Sequence, residues 1–316
     1  MKFHFSIHAI SFTCALLFTP YAQADFTFTE ANGKLSLHED GEPVFDYNFE
    51  MVAPPEGVDE KYRRSGYLHP VYGLDGQVVT QDFPSDHYHH RGVFWGWPKS
   101  TYDAKLFNNW EMTTAKQYFE SWQDKTRTRD YARFTVQNRW SFIEDSDTPI
   151  IRETMTVTAH TKKRKTRSID FHLQLENVTG KPFTLLGATN KGYGGFNYRP
   201  DAVNKPLHFH TALGPQEKDS LNLDSPWVDV SWKDNAKNAA AGVAVFQHPK
   251  NPEYPHFGWL IRHYGFNGAA WPHLNEYIIA PGGTLDLRYR MVIHSGNAES
   301  VNIEKLFKKF TRKASR

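Results

Sequence analysis

The sequence predicts an all-β protein: a large β-sandwich with one short C-terminal helix. Three observations carry this reading. Apolar and polar residues alternate with period two along many short runs, which sends one face of each run into a core and the other into water. Turn-forming dipeptides punctuate the runs. Aromatic residues make up 15% of the chain, enough large side chains to fill a sandwich, while helical periodicity is scarce.

Taken in order, residues 26–30 and 34–38 alternate cleanly, and Asn32-Gly33 between them is a hairpin signal. Asp40-Gly41 marks the next turn and residues 43–49 the next strand. Further strands are expected at 132–142, 150–159, 168–176, 242–246, 258–264, 276–279 and 284–294, with Pro281-Gly282-Gly283 as a tight turn. Near the C-terminus Ile303, Leu306, Phe307 and Phe310 fall on one face of a helix. That helix is expected to cover a sheet edge, the alternative being a membrane-surface helix. The basic run at 162–167 reads as a solvated hairpin turn, or else as a contact for an anion or polysaccharide.

The first 24 residues look like an export signal. Lys2 is followed by an apolar stretch too short to span a bilayer, then by the small-x-small pattern Ala22-Gln23-Ala24. Cleavage would leave one β-sandwich domain over residues 25–316, in the periplasm or outside the cell. The single cysteine, Cys14, lies in the signal. Thiol chemistry and disulfides are therefore excluded from the mature chain. Lys and Arg total 37 and Asp and Glu 35, a balance that gives no field for nucleic acid. No integral membrane segment is expected in the mature chain.

Polar chemistry concentrates at Asp86-His87-Tyr88-His89-His90-Arg91-Gly92. In an extended segment His87, His89 and Arg91 share one face, and Trp95 and Trp97 continue it. Two imidazoles on one side suit general acid–base work, because their pKa lies near working pH. His-x-His is also ligand spacing for a divalent metal, so His87 and His89 are the alternative metal pair. No cofactor is otherwise expected. The indoles would form a wall for a sugar ring, with Asn108, Asn109, Trp110 and Glu111 at its rim. A second cluster runs from Thr189 to Arg199. Its glycines let the backbone approach something closely, and Lys191, Tyr193 and Arg199 can bind and polarise a carboxylate. Weaker candidates for rim contacts sit at 225–229, 248–252 and 262–265.

These motifs carry a resemblance. Tyr67-Leu68-His69-Pro70, the segment 86–92, Lys191-Gly192-Tyr193-Gly194-Gly195 and Ser225-Pro226-Trp227-Val228-Asp229 are similar to the DUF6807 family over most of the mature chain. Its usual central motif is Asp-His-Pro-His-His-Arg, and here Tyr88 replaces the proline. Members are often labelled "PmoA family", but the absence of a membrane-spanning segment here contradicts a methane monooxygenase subunit. The resemblance implies a supersandwich like that of galactose mutarotases and a carbohydrate context. It supplies no catalytic assignment.

The expected function is an enzyme on glycans, with an oligosaccharide or polysaccharide as partner. Elimination at a uronic acid comes first: a histidine among His87, His89 and His90 as base, Tyr193 as acid, and His69, Arg91, Lys191 and Arg199 with Trp95 and Trp97 binding substrate. Glycoside hydrolysis, which usually needs two carboxylates, is the nearest alternative. A glycan-binding protein with Trp95, Trp97, Trp110 and Trp227 as platform, and a metal-dependent enzyme, complete the set.

Overall fold

The computed structural model describes Met1 and residues 25–201, 206–234, 239–255 and 258–314. Residues 2–24, which hold the expected signal peptide, lie outside them. The first hairpin forms as its sequence dictates. Asn32 and Gly33 have φ of 52° and 72°, the tight turn whose twist matches the strands it joins. Phe26–Ala31 and Lys34–Glu39 pair across it, and Asp40 and Gly41 repeat the geometry before Glu42–Asn48.

Two nine-stranded antiparallel sheets form the body among the described residues. The first runs, edge to edge, Phe26–Ala31, Lys34–Glu39, Glu42–Asn48, Tyr67–Val71, Val93–Gly96, Gly195–Tyr198, Phe266–Ala269, Trp259–Arg262 and Ser220–Leu223. The second runs Gly214–Gln216, His208–Thr211, Trp227–Asp234, Ala239–Gln247, Thr284–Ser295, Thr166–Asn177, Ile151–His160, Tyr131–Phe142 and Ala115–Arg127. A four-stranded sheet of short strands is hydrogen-bonded separately from both, and its Phe107, Phe183, Leu185 and Ile279 join the core that the two share.

Burial follows the alternation. Along Thr166–Asn177 every second residue is buried. Phe134, Met155, Phe171, Val243 and Met291 from the second sheet meet Leu37, Tyr47, Trp95, Phe196 and Ile261 from the first in one continuous core. The two sheets thus pack face to face. Within this core Glu153 is fully buried, and four N–H donors surround its carboxylate: Trp95 Nε1 at 2.6 Å, Asn138 Nδ2 at 2.8 Å, Trp140 Nε1 at 2.9 Å and Gln117 Nε2 at 3.1 Å. Burial raises its pKa and the donors oppose the rise.

The C-terminal helix, Ile303–Ala314, forms where its periodicity predicts, but it does not cover an edge. Ile303, Phe307 and Phe310 pack on Ala244, Phe246 and Val292, which belong to interior strands of the second sheet. The reason lies in those strands. Phe246 and Val292 point away from the inter-sheet core and need a cover of their own. The basic run forms the turn between Ile151–His160 and Thr166–Asn177. Its last member, Arg167, is buried and paired with buried Glu39.

The segment Ser225-Pro226-Trp227-Val228-Asp229 is also structural. Trp227 donates to Glu304 of the helix at 2.9 Å. Asp229 Oδ1 lies 2.6 Å from His294 Nε2, and both side chains are wholly buried. His294 Nδ1 meets the Gly296 carbonyl at 3.0 Å, so each ring nitrogen has an oxygen partner.

Candidate functional site

On the outer face of the first sheet, Phe94, Leu260 and Phe266 form an apolar floor with Tyr67 and Trp110. Above it lies a cleft of about 340 Å³, near the small end of ligand pockets. Four chain segments wall it. The 84–92 segment brings His87, His89 and His90, and the 108–112 loop brings Trp110 and Glu111. The glycine-rich segment brings Lys191 and Tyr193, and the Trp259–Arg262 strand with its following turn brings Arg262 and Tyr264.

The histidine segment is not extended. The His87 N–H donates to the Pro84 carbonyl and the His90 N–H to the His87 carbonyl, each at 2.9 Å, so two consecutive turns replace a strand. Strand parity therefore fails as a guide, and all three imidazoles enter one site. His87 and His90 stack at 4.7 Å, and His89 meets the edge of His90 at 4.5 Å. Tyr264 stacks on the other face of His87 at 5.2 Å. Gly92 closes the segment with φ of 37°. A Cβ there would lie 2.1 Å from the Leu68 carbonyl oxygen, so only glycine fits.

Arg199 ties the cluster together from behind. It is buried, and its Nη2 donates to both oxygens of Asp86 at 2.8 and 3.1 Å. Its Nη1 lies 3.3 Å from His90 Nδ1. A guanidinium can only donate, so His90 accepts at Nδ1 and carries its proton on Nε2. Asp86 Oδ2 lies 3.2 Å from His87 Nδ1, an ion-pair contact without hydrogen-bond alignment. Burial works against the Asp86 charge, but Arg199 and His87 outweigh it and hold the carboxyl below its usual range. The His87 side chain remains 36% exposed.

The other two imidazoles are kept neutral. Burial, then the neighbouring His87, Arg64 and Arg199, push His89 down to about 3. Burial and the same kind of neighbours hold His90 well below the ordinary histidine value. Both are therefore weak bases at neutral pH. Burial and Glu111 raise Tyr193, and burial raises Tyr264, so both phenols stay protonated and can donate. Among the described residues no three His, Cys, Asp or Glu side chains are grouped to hold a metal ion, the His87–His89 pair included.

The structure thus joins the two predicted clusters: His87, His89, His90, Lys191 and Tyr193 share one cleft, with Arg199 behind it. The rest of the expected set lies elsewhere. Trp95 and Trp97 are wholly buried in the inter-sheet core, bonded to Glu153 and to the Trp271 carbonyl, and offer no sugar wall. Arg91 points away from the cleft and is wholly buried. It donates to Asp82 and Tyr67 and lies over the Phe83 ring at 3.5 Å. His69 bonds Thr80 at 3.0 Å outside the cleft, and burial lowers its pKa. Of the four platform tryptophans only Trp110 reaches the cleft.

Gly192 admits another part of the chain, not a ligand. A Cβ there would meet the His273 imidazole at 2.1 Å. Sequence reasoning gave Arg262 and Tyr264 only a rim role, and missed Leu260 and Phe266. The one signal for them was their place on a strand pair that alternates toward this face. No helix among the described residues is long and apolar enough to cross a membrane.

Several solved structures are similar in outline. An α-galactosidase from Lactobacillus brevis matches with TM-score 0.44 and 10% identity, over 88% of this chain and 39% of that one. A mutant heparan sulfate lyase from Pedobacter heparinus matches with TM-score 0.40 and 8% identity, over 88% and 36%. The chain thus spans well under half the length of these two. A protein from Klebsiella pneumoniae assigned as an aldose 1-epimerase matches with TM-score 0.44 and 8% identity, over 91% and 88%. No curated protein sequence matches. Residues 34–308 match the model described as "Family of unknown function (DUF6807)", and the chain belongs to that family.

Proposed function

We propose that the cleft binds the carboxylate-bearing ring of an acidic oligosaccharide and cleaves it by β-elimination, outside the cytoplasm. One observation carries the reading. A single small cleft is lined by an imidazole beside a carboxylate, two phenols and two cations, with Glu111 as the only carboxylate on its lining among the described residues. Elimination uses such a set, whereas hydrolysis usually needs two carboxylates.

In this scheme Lys191 and Arg262 face the substrate carboxylate and stabilise the charge that develops on it. His87 takes the proton from the carbon next to that carboxylate. Asp86 stabilises the imidazolium that forms, while neutral His89 and His90 are too weakly basic for the task. The C5–H and C4–O bonds break, a C4=C5 double bond forms, and the leaving oxygen receives a proton from Tyr193 or Tyr264. His90 Nε2–H is a fixed donor for a ring hydroxyl. The roles first expected of Arg91 and Arg199 toward the carboxylate pass to Arg262 and Lys191.

The test is to incubate the protein with a panel of uronate-containing oligosaccharides and follow the ultraviolet absorbance of the conjugated product. Unsaturated products that vanish with His87→Ala support the scheme. Hydrolysis products without unsaturated ones overturn it.

A further inference from the structure

The second sheet carries another polar surface on its outer face, opposite the cleft. One cavity of about 420 Å³ lies between the basic hairpin and the C-terminal helix, lined by His160, Lys163, Arg290 and Lys309. A second of about 290 Å³ adjoins it, lined by His172, His248 and Arg288. Arg290 and Phe310 border both, so the two form one trough. Most of the cations named so far are paired: Asp170 is bound by Arg290 and by His160, Asp286 pairs with His172 and Arg288, and Asp130 is the other carboxylate on the lining. The exposed Lys163, Arg164, Lys165 and Lys309 have no carboxylate partner among the described residues.

We propose that this trough is a docking surface for a polyanionic glycan chain, separate from the cleft and independent of the reaction proposed for it. Charge and shape argue together. Two unpaired cations from two elements, Lys163 of the hairpin turn and Lys309 of the helix, line the larger cavity, and the smaller one continues from it past Arg290 and Phe310. Cations left without partners are those that gain most from an arriving anion, and anionic groups spaced along a chain can meet several at once. A membrane is the poorer fit. A surface helix binds lipid through its apolar face, and here Ile303, Phe307 and Phe310 are buried against the sheet. The shared chemistry is a carboxylate or sulfate repeated along a polysaccharide.

Affinity electrophoresis of the purified protein tests this, with polygalacturonate, dextran sulfate or uncharged dextran cast into native gels. Both polyanions should retard the protein, less so at raised salt, and dextran should not. The Lys163→Glu/Lys309→Glu double variant should lose affinity about fivefold or more. The Lys163→Arg/Lys309→Arg pair and His87→Ala should behave like the parent. Circular dichroism of the charge-reversed protein checks that it is folded, which is expected because both positions are exposed. Equal retardation of parent and charge-reversed protein overturns the proposal, as does equal retardation in dextran. So does charge-dependent binding to phosphatidylglycerol vesicles when neither polyanion retards the chain. Loss of elimination activity with retardation intact leaves the trough standing and removes only the cleft reading.

Discussion

Two of the molecule's histidine–aspartate pairs, Asp229–His294 and Asp86–His87, take their aspartate from a segment that marks the family resemblance. Asp229 and His294 are wholly buried between strands of the second sheet, 2.6 Å apart. Asp86 and His87 are 3.2 Å apart on a turn, with 42% and 36% of their side chains exposed. The residue types are the same and the physics differs. Both nitrogens of His294 are occupied, so the ring has nothing left to offer a ligand. His87 turns one nitrogen to Asp86 and keeps part of its ring on a cleft that also holds cations and phenols. A pair of this kind becomes chemistry when one side is left open, and a strut when neither is.

The contrast breaks or holds on stability first. Replacing His294 by Ala strands the Asp229 carboxylate in the core, and removing one member of a buried pair costs about 3–5 kcal/mol. Urea unfolding should show that loss for His294→Ala. A change below about 0.5 kcal/mol, the scale of ordinary surface substitutions, would mean that the pair is not a strut. His87→Ala should do the opposite. Its unfolding midpoint should stay close to the parent, while elimination falls about 10²–10⁴-fold, the usual worth of a general base. An unfolding loss as large as that of His294→Ala would erase the difference between the two pairs.

How much of this was legible in the sequence follows from which rules the chain obeys locally. Strands with clean alternation, such as Thr166–Asn177, were readable because one face is buried against the other sheet. The hairpin at Asn32-Gly33 was readable because only a few residues accept positive φ. The histidine segment was found as a knot of titratable residues, but its geometry was not. Nothing local distinguishes an extended Asp-His-Tyr-His-His-Arg from two consecutive turns. That choice depends on the Gly92 contact with the Leu68 carbonyl and on Arg199 reaching back to Asp86, both of them distant in sequence. Trp95 and Trp97 misled for the same reason. Period two puts them on one face, but which face is core depends on Glu153 and Trp271 elsewhere in the chain. The helix was legible and its docking place was not, since the apolar outer residues of Ala239–Gln247 and Thr284–Ser295 had no separate signal.

The comparison sharpens further with pH. His89 is pushed down to about 3 when folded, against about 6.5 for an unfolded histidine. Its folded pKa is depressed, so the unfolded chain binds the extra proton between those values. The stability associated with a neutral His89 is fully present above about 6.5 and is lost as pH falls toward about 3. One imidazole kept neutral contributes at most about 1.4 kcal/mol per pH unit in that window. His89→Asn keeps a polar side chain that does not titrate. The difference in urea-unfolding stability between parent and variant should therefore change with pH across the window and level off above it. If the difference is flat from pH ~6.5 downward, His89 is solvated in solution. The cleft would then have a second competent base, and the case for His87 alone would fail with it.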